Sequence, residues 1–351
     1  MRSQRSGAQE AEPGDRGRAT IADVARLAGV SKATVSRVLN GSSRVAPGTR
    51  RAVEEAISAA GYVESWQAKS LATGRAGAVG VIITEPFDEV YTDPTFAAVL
   101  RGVHDRLVPT PLVPVLLQAT SEAERAKAVR FLERRGADAV IHLTPYVDDG
   151  LLPQLEAQGL PTVLTGRVED AVRRGMSSVY SDDVLGAAMA ARRAAEQGRR
   201  RPLVVVGPPD NPASRERVEG YLSVLGAGST GGDSTPVVTF GGWDETSGER
   251  AVRGALSQGA RFDVVLAGSD RIARGALTAL GDHHLSVPRD VAVIGFDNHP
   301  VSAQTTPALT TVEQPLRQEG RTAVELALDL LEGGAPRLEV LPMRLVVRDS
   351  G

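Results

Sequence analysis

The sequence predicts an all-α helix-turn-helix headpiece followed by an α/β core of two doubly wound parallel-sheet sub-domains. Three observations carry that expectation. The stretch ATIADVARLAGVSKATVSRVLN, from Ala19 to Asn40, holds two short amphipathic helices around a glycine turn. Beyond it, short apolar runs alternate with helical stretches, as parallel strands covered on both faces require. The chain has 351 residues, enough for two or three domains that each bury a core.

Thr20 stands three residues before Asp23, the spacing of a capping box that opens a helix. Ile21, Val24, Ala25 and Ala28 share one helical face, and Gly29 suits the left-handed turn that closes it. Val30 fits a hydrophobic staple and Ser31 an N-cap for the second helix. In that helix Val35, Val38 and Leu39 point inward, while Lys32, Ala33, Ser36 and Arg37 point out. Basic groups on the outer face of a second short helix suit a DNA major groove. Pro47 and Gly48 start a third helix, closed by Gly61, with Val53, Ala56, Ile57 and Ala60 on its packing face.

Charge separates along the chain. Residues 1–75 carry 12 Lys/Arg against 7 Asp/Glu, whereas the remainder carries 28 against 36. Only the amino-terminal part has the sign of a phosphate-binding surface. Residues 1–18 are polar without apolar periodicity and are expected to be a disordered tail. No apolar run reaches membrane length, no signal-peptide core is present, and there are no cysteines. A cytoplasmic protein without membrane partner, cofactor or metal is expected.

After a small junction at 72–78, two sets of strands follow. The first is VGVII, LVPVLL, AVIHLT and TVLTG; after the helix GAAMAARRAAEQG, the second is LVVVG, VVTF, VVLAG and VAVIGF. Two such sets imply two sub-domains, with ligand at the carboxyl ends of the strands.

The run from Ala19 to Leu71 resembles the DNA-binding headpiece of the LacI/GalR family of bacterial transcription regulators. The matching pieces are TIADVARLAGVS, TVSRVLNG and GY…AKSL, in order and at the family spacing. The resemblance continues through DPTFAAVLRGV, LTGR, SDDVLGAAMA, ASRERVEGY, AGSDRIARGAL, VPRDVAVIGFDN and TPALTTVEQP. It implies a periplasmic-binding-protein-like core from residue 75, following a headpiece over 19–74 that includes a hinge helix at 65–71. It also implies sub-domains of about 78–180 with 308–335, and of about 181–306 with 336–351, and a homodimer with a small effector between them.

By that resemblance, Lys32, Ala33 and Arg37 face base edges. A bidentate Arg37 contact to guanine contributes roughly 1–3 kcal/mol of discrimination. Thr34 and Ser36 bind phosphate and set register, and Thr20, Ser31 and Asn40 are further DNA-binding residues. Ser65 and Lys69 lie near the groove, and Leu71 matches a leucine that wedges into the central base step of a pseudo-palindromic operator. Glu64, where proline is common, and the bulky Trp66 depart from the pattern. The effector residues implied are Arg167, Arg217 and Asp297 for hydrogen bonding and Trp243 for stacking, with Asp93, Phe96, Ser269 and Asp270 lining the same cleft. Gly166, where aspartate is frequent, together with Asn211 and Ala213, departs from the purine-binding branch and points to a sugar.

Enzymatic readings fail on context. Gly226, Gly228 and Gly231 spell GxGxxG, but after a helix rather than a strand. The five histidines lack metal-ligand spacing, no serine sits in a GxSxG elbow, and the acid pairs Asp148–Asp149 and Asp182–Asp183 fit loops or helix caps. The expectation is a repressor of carbohydrate-metabolism genes, controlled by a sugar-like effector. The alternative is a cytosolic sugar-binding or sugar-processing protein with a helical extension.

Overall fold

The computed structural model describes residues 19–39, 41–63, 74–144, 150–168, 170–226 and 236–351. The chain divides between Arg75 and Ala76 into two compact units. The expected tail, Asn40, and the hinge with Glu64, Ser65, Trp66, Lys69 and Leu71 lie outside the described residues, as do Asp148 and Asp149.

The first unit holds α1 (Ile21–Leu27), α2 (Lys32–Leu39) and α3 (Pro47–Ala60). The Asp23 carboxylate accepts hydrogen bonds from the Thr20 backbone N–H at 3.0 Å and from its hydroxyl at 2.8 Å. Gly29, at φ 65°, makes the turn that lets α2 start in a new direction. The Ser31 hydroxyl then accepts from the Thr34 N–H at 3.1 Å, capping α2. Val24, Ala25, Val35, Val38, Val53 and Ala56 form the buried core, against which Ile21, Val30, Leu39 and Tyr62 pack. So few side chains fill this core that each one matters.

The second unit contains two six-stranded sheets. In chain order the strands are β1 (Ala78–Ile83), β2 (Val113–Gln118), β3 (Ala139–Leu143), β4 (Thr162–Thr165), β5 (Ser177–Ser181) and β6 (Pro202–Val206). There follow β7 (Val237–Phe240), β8 (Val264–Ala267), β9 (Ala292–Asp297), β10 (Thr310–Glu313), β11 (Leu338–Leu341) and β12 (Arg344–Val346). The sheet orders are β11-β5-β4-β3-β1-β2 and β12-β10-β9-β8-β6-β7. All pairings are parallel except β10 with β12. Each sheet therefore reverses strand order beside its first strand, β1 or β6, the doubly wound arrangement.

The sub-domain boundaries differ from the sequence expectation at the carboxy-terminal end. Strand β10 pairs with β9, Val312 beside Phe296, so it belongs to the second sheet rather than the first. Strand β11 pairs with β5, Val340 beside Tyr180, so it extends the first sheet rather than the second. The chain crosses between the lobes three times, as expected, but the last two crossings fall after β10 and after β11, because lateral backbone pairing decides where a short strand sits.

Helices cover both faces of each sheet: α4 (Phe87–Thr92), α5 (Pro94–Leu107), α6 (Glu122–Glu133) and α7 (Leu152–Gln158) precede α8 (Asp183–Glu196). Then come α9 (Pro212–Leu225), α10 (Glu245–Ser257), α11 (Asp270–Asp282) and α12 (Leu316–Leu331). Helices α5 and α12 touch backbone to backbone: a Cβ at Gly102 would strike the Arg317 carbonyl, and one at Gly320 the Val99 carbonyl. Gly248 and Gly275 do the same for α10 and α11. No helix among the described residues is long and apolar enough to cross a membrane.

Candidate functional site

Two surfaces have the composition of sites. On the first unit, Lys32, Ala33 and Arg37 are exposed and Ser36 half-buried, on the side of α2 opposite Val35 and Val38. Thr34 is half-buried, its hydroxyl 2.9 Å from that of Ser31, so both hydroxyls also serve the cap. Thr20 is exposed beside Asp23. The helix thus offers two cations and a small side chain outward while its other side anchors the hairpin.

In the second unit, the carboxyl ends of the strands converge on a cavity of about 270 Å³. Thr144, Gly166 and Ser181 line it from β3, β4 and β5; Pro208, Trp243, Ser269, Asp297 and Gln314 line it from β6 through β10. Parallel sheets direct their carboxyl-end loops to one side, so two sheets facing each other enclose a cleft there. Thr144 and Asp297 hold φ of 44° and 102°, values that side chains other than glycine rarely adopt. Such backbone persists only where its surroundings impose it.

Seven of the eight expected effector residues line this cavity: Asp93, Phe96, Arg167, Arg217, Trp243, Ser269 and Asp297. Asp270 does not. It is fully buried beneath, accepting from the His299 backbone N–H at 2.7 Å and the Thr311 hydroxyl at 2.6 Å. Its carboxylate ties α11 to the loop after β9, which is why a residue so close to the cleft cannot turn into it.

The other polar groups are held in place. The Arg217 guanidinium donates to Asp183 at 2.6 Å and to the Gly268 carbonyl, and lies 3.5 Å from Asp297. Its plane sits 3.9 Å from the Phe296 ring centre and 5.2 Å from that of Trp243. Gly207 makes room for Trp243, since a Cβ there would enter the indole. Asp93 caps α5 by accepting from the Thr95 N–H at 2.9 Å, and Ser269 caps α11 by accepting from the Ile272 N–H at 3.1 Å.

Among the described residues, four contacts join the lobes across the cleft. Arg271 of α11 reaches Asp93 at 3.2 Å and Glu89 at 3.4 Å. The Thr95 hydroxyl lies 3.2 Å from His299 Nε2, and Arg167 lies 4.0 Å from Glu216. Both partners of each contact are therefore placed to respond if the lobes rotate.

Sequence reasoning missed Asp183, Glu216, Gln314 and Glu319, all of which line the cavity. Burial pushes Glu319 up to about 8, with Asp183 adding to the rise and the Thr165 hydrogen bond and Arg217 opposing it. Burial also pushes Glu216 up to about 7, again with Asp183 adding and Arg167 opposing. A signal for Glu319 was available: it sits on the stripe of Leu316, Gly320, Ala323 and Ala327, where an acid is out of place.

Comparison with known proteins decides the family. A model described as bacterial regulatory proteins, lacI family, matches residues 20–65, and one described as periplasmic binding protein-like domain matches 191–351. The HTH-type transcriptional regulator CelR of Thermobifida fusca is 36% identical over 96% of this chain and 99% of its own. The chain belongs to the LacI family. Escherichia coli GalR, another regulator, is 32% identical over 90% of each chain. Among solved structures, a CelR–cellobiose complex covers 95% of this LacI-family chain at 34% identity and a TM-score of 0.74. The lac repressor dimer bound to operator and the anti-inducer ONPF covers 95% at 25% identity and a TM-score of 0.83. This LacI-family protein is a DNA-binding transcriptional regulator.

Proposed function

We propose that two copies of this chain bind a pseudo-palindromic operator as a repressor, and that a small sugar in the cleft changes the angle between the lobes and weakens DNA binding. The observation that carries the effector reading is the cavity itself. It lies between two lobes, it is walled by hydrogen-bonding groups that are already oriented, and three aromatic residues, Phe96, Tyr180 and Trp243, line it. Polar groups at several angles plus an aromatic surface are what a sugar needs, one face of its ring being C–H and its rim hydroxyl. The similarity to a regulator solved with cellobiose supports the same ligand class. A coupling of about 1–3 kcal/mol, or roughly 5–150-fold in operator affinity, suffices for control.

Support for the dimer comes from the sheet edges. Strands β2 and β7 occupy equivalent edge positions in the two sheets. Both expose apolar side chains: Val113 and Leu116 on one, Val237 and Phe240 on the other. Open apolar edges are ordinarily covered.

The deciding experiment is selection of bound sequences from a random duplex pool, repeated with a panel of mono- and disaccharides. Enrichment of a near-palindrome that one sugar releases is the expected result. If nothing is enriched with or without sugars, the repressor reading fails and the core alone, as a binding protein, is the reading to pursue.

A further inference from the structure

We infer that the cleft selects effectors by charge: it takes a sugar bearing hydroxyl or ammonium groups and rejects phosphorylated or carboxylated sugars. This rests on the reading of the cleft as a sugar site and narrows its ligand class. Among the described residues, seven side chains lining the cavity are carboxylates and only two, Arg167 and Arg217, are cations.

Those two cations are already engaged. Arg217 is nearly fully buried, its edges donate to Asp183 and Gly268 and approach Asp297, and its faces lie against Phe296 and Trp243. Its Nε and Nη1 are thus taken, and an anionic oxygen reaching those nitrogens has to displace Asp183, Asp297 or the Gly268 carbonyl. Arg167 pairs with Glu216 across the cleft. Just behind the wall, Arg271 is likewise held by Glu89 and Asp93. Glu319, by contrast, is buried with no cation at ion-pairing distance among the described residues.

The wall is therefore rich in acceptors. Two further hydroxyls in it, those of Ser181 and Thr144, are enclosed by the fold and have no hydrogen-bond partner among the described residues. A buried hydroxyl left unpaired is destabilising, and a ligand hydroxyl can supply the missing partner. Sugar hydroxyls donate well to carboxylates, and an ammonium does so with opposite charge. A phosphate or carboxylate brings only acceptors and a like charge, and is disfavoured on both counts. Burial that keeps part of the acid proton-bound near neutrality, as for Glu319 and Glu216, softens the mutual repulsion of the acids.

The test uses the full-length protein and two matched sets of probes, with binding measured by calorimetry at pH 7.5. One set is glucose, glucosamine and glucose 6-phosphate; the other is cellobiose, the glucosamine disaccharide and cellobionate. Within a set that binds, the neutral or amino member is expected to be tighter than the anionic one by about tenfold or more. In Glu216→Lys the amino member is expected to weaken and the anionic member to gain. Equal or tighter binding of the anionic member to the wild type overturns the charge selection while leaving the sugar reading intact. Silence of both whole sets overturns the sugar reading, and this inference with it.

Discussion

Arg37 and Glu319 illustrate how one side chain can be decided by its surroundings. Arg37 is exposed on α2 and spends nothing on the hairpin core, so its loss should be felt only by DNA. Arg37→Ala is expected to leave thermal stability unchanged and to cost roughly 1–3 kcal/mol of discrimination at one base pair, read by fluorescence anisotropy on operator variants. Glu319 is the reverse case, buried and pushed up to about 8. A carboxyl whose folded-state value exceeds its ordinary 4.5 holds more protons folded than unfolded, so its contribution to stability fades as pH rises from about 4.5 to about 8. Urea unfolding of Glu319→Gln should therefore match wild type at pH 4 and show the greater stability at pH 9. Stability of the variant that falls as steeply with pH as that of wild type would assign the pH dependence elsewhere, with Glu216 next in line. Seven residues that line the cleft were named from the sequence by their match to LacI-family positions, Arg167, Trp243 and Asp297 at or just beyond strand ends and Arg217 within α9. Asp183 and Glu216 were not, since an acid in the first turns of a helix reads equally well as a cap or a solvated side chain.

Secondary elements were legible in proportion to how apolar they are. The four strands VGVII, AVIHL, LVVV and AVIGF lie in sheet centres, are buried on both faces, and stand out as uninterrupted runs. SSVYS, the sequence of β5, gave no such signal although it is almost wholly buried, because its polar serines break the apolar run; two of the three are satisfied within the fold, Ser178 donating to the Gly166 carbonyl and Ser177 accepting from the Arg337 N–H. Strands β10, β11 and β12 have only three or four residues each and pair where no periodicity could place them. Helix packing follows a different rule, the absence of a side chain. Because Gly320 lies against the Val99 carbonyl, Gly320→Ala should push α12 off α5 and cost about 1–3 kcal/mol in chemical denaturation. Gly254→Ala, on α10 with open space around it, is the matched control and should be neutral or slightly stabilising.

The second unit is built on two similar sheets whose shared cleft is crossed by Arg271, His299 and Arg167. If the edges β2 and β7 carry the dimer, Leu116→Asp with Phe240→Asp should give monomers in sedimentation analysis and lose operator binding, while each monomer keeps its sugar affinity. A dimer that persists in the double variant would remove the edge strands from the interface. The topology also has a temporal side. The first sheet starts at Ala78, but its outer strand β11 ends only at Leu341, and α12 arrives barely earlier. A nascent chain leaving the ribosome thus carries an unfinished first lobe, with the edge of β5 and the floor meant for α12 uncovered, until almost the last residues are translated. By then the second lobe lacks little more than β12, so both lobes should complete together rather than in succession, and premature termination between Ala78 and Leu341 would leave neither.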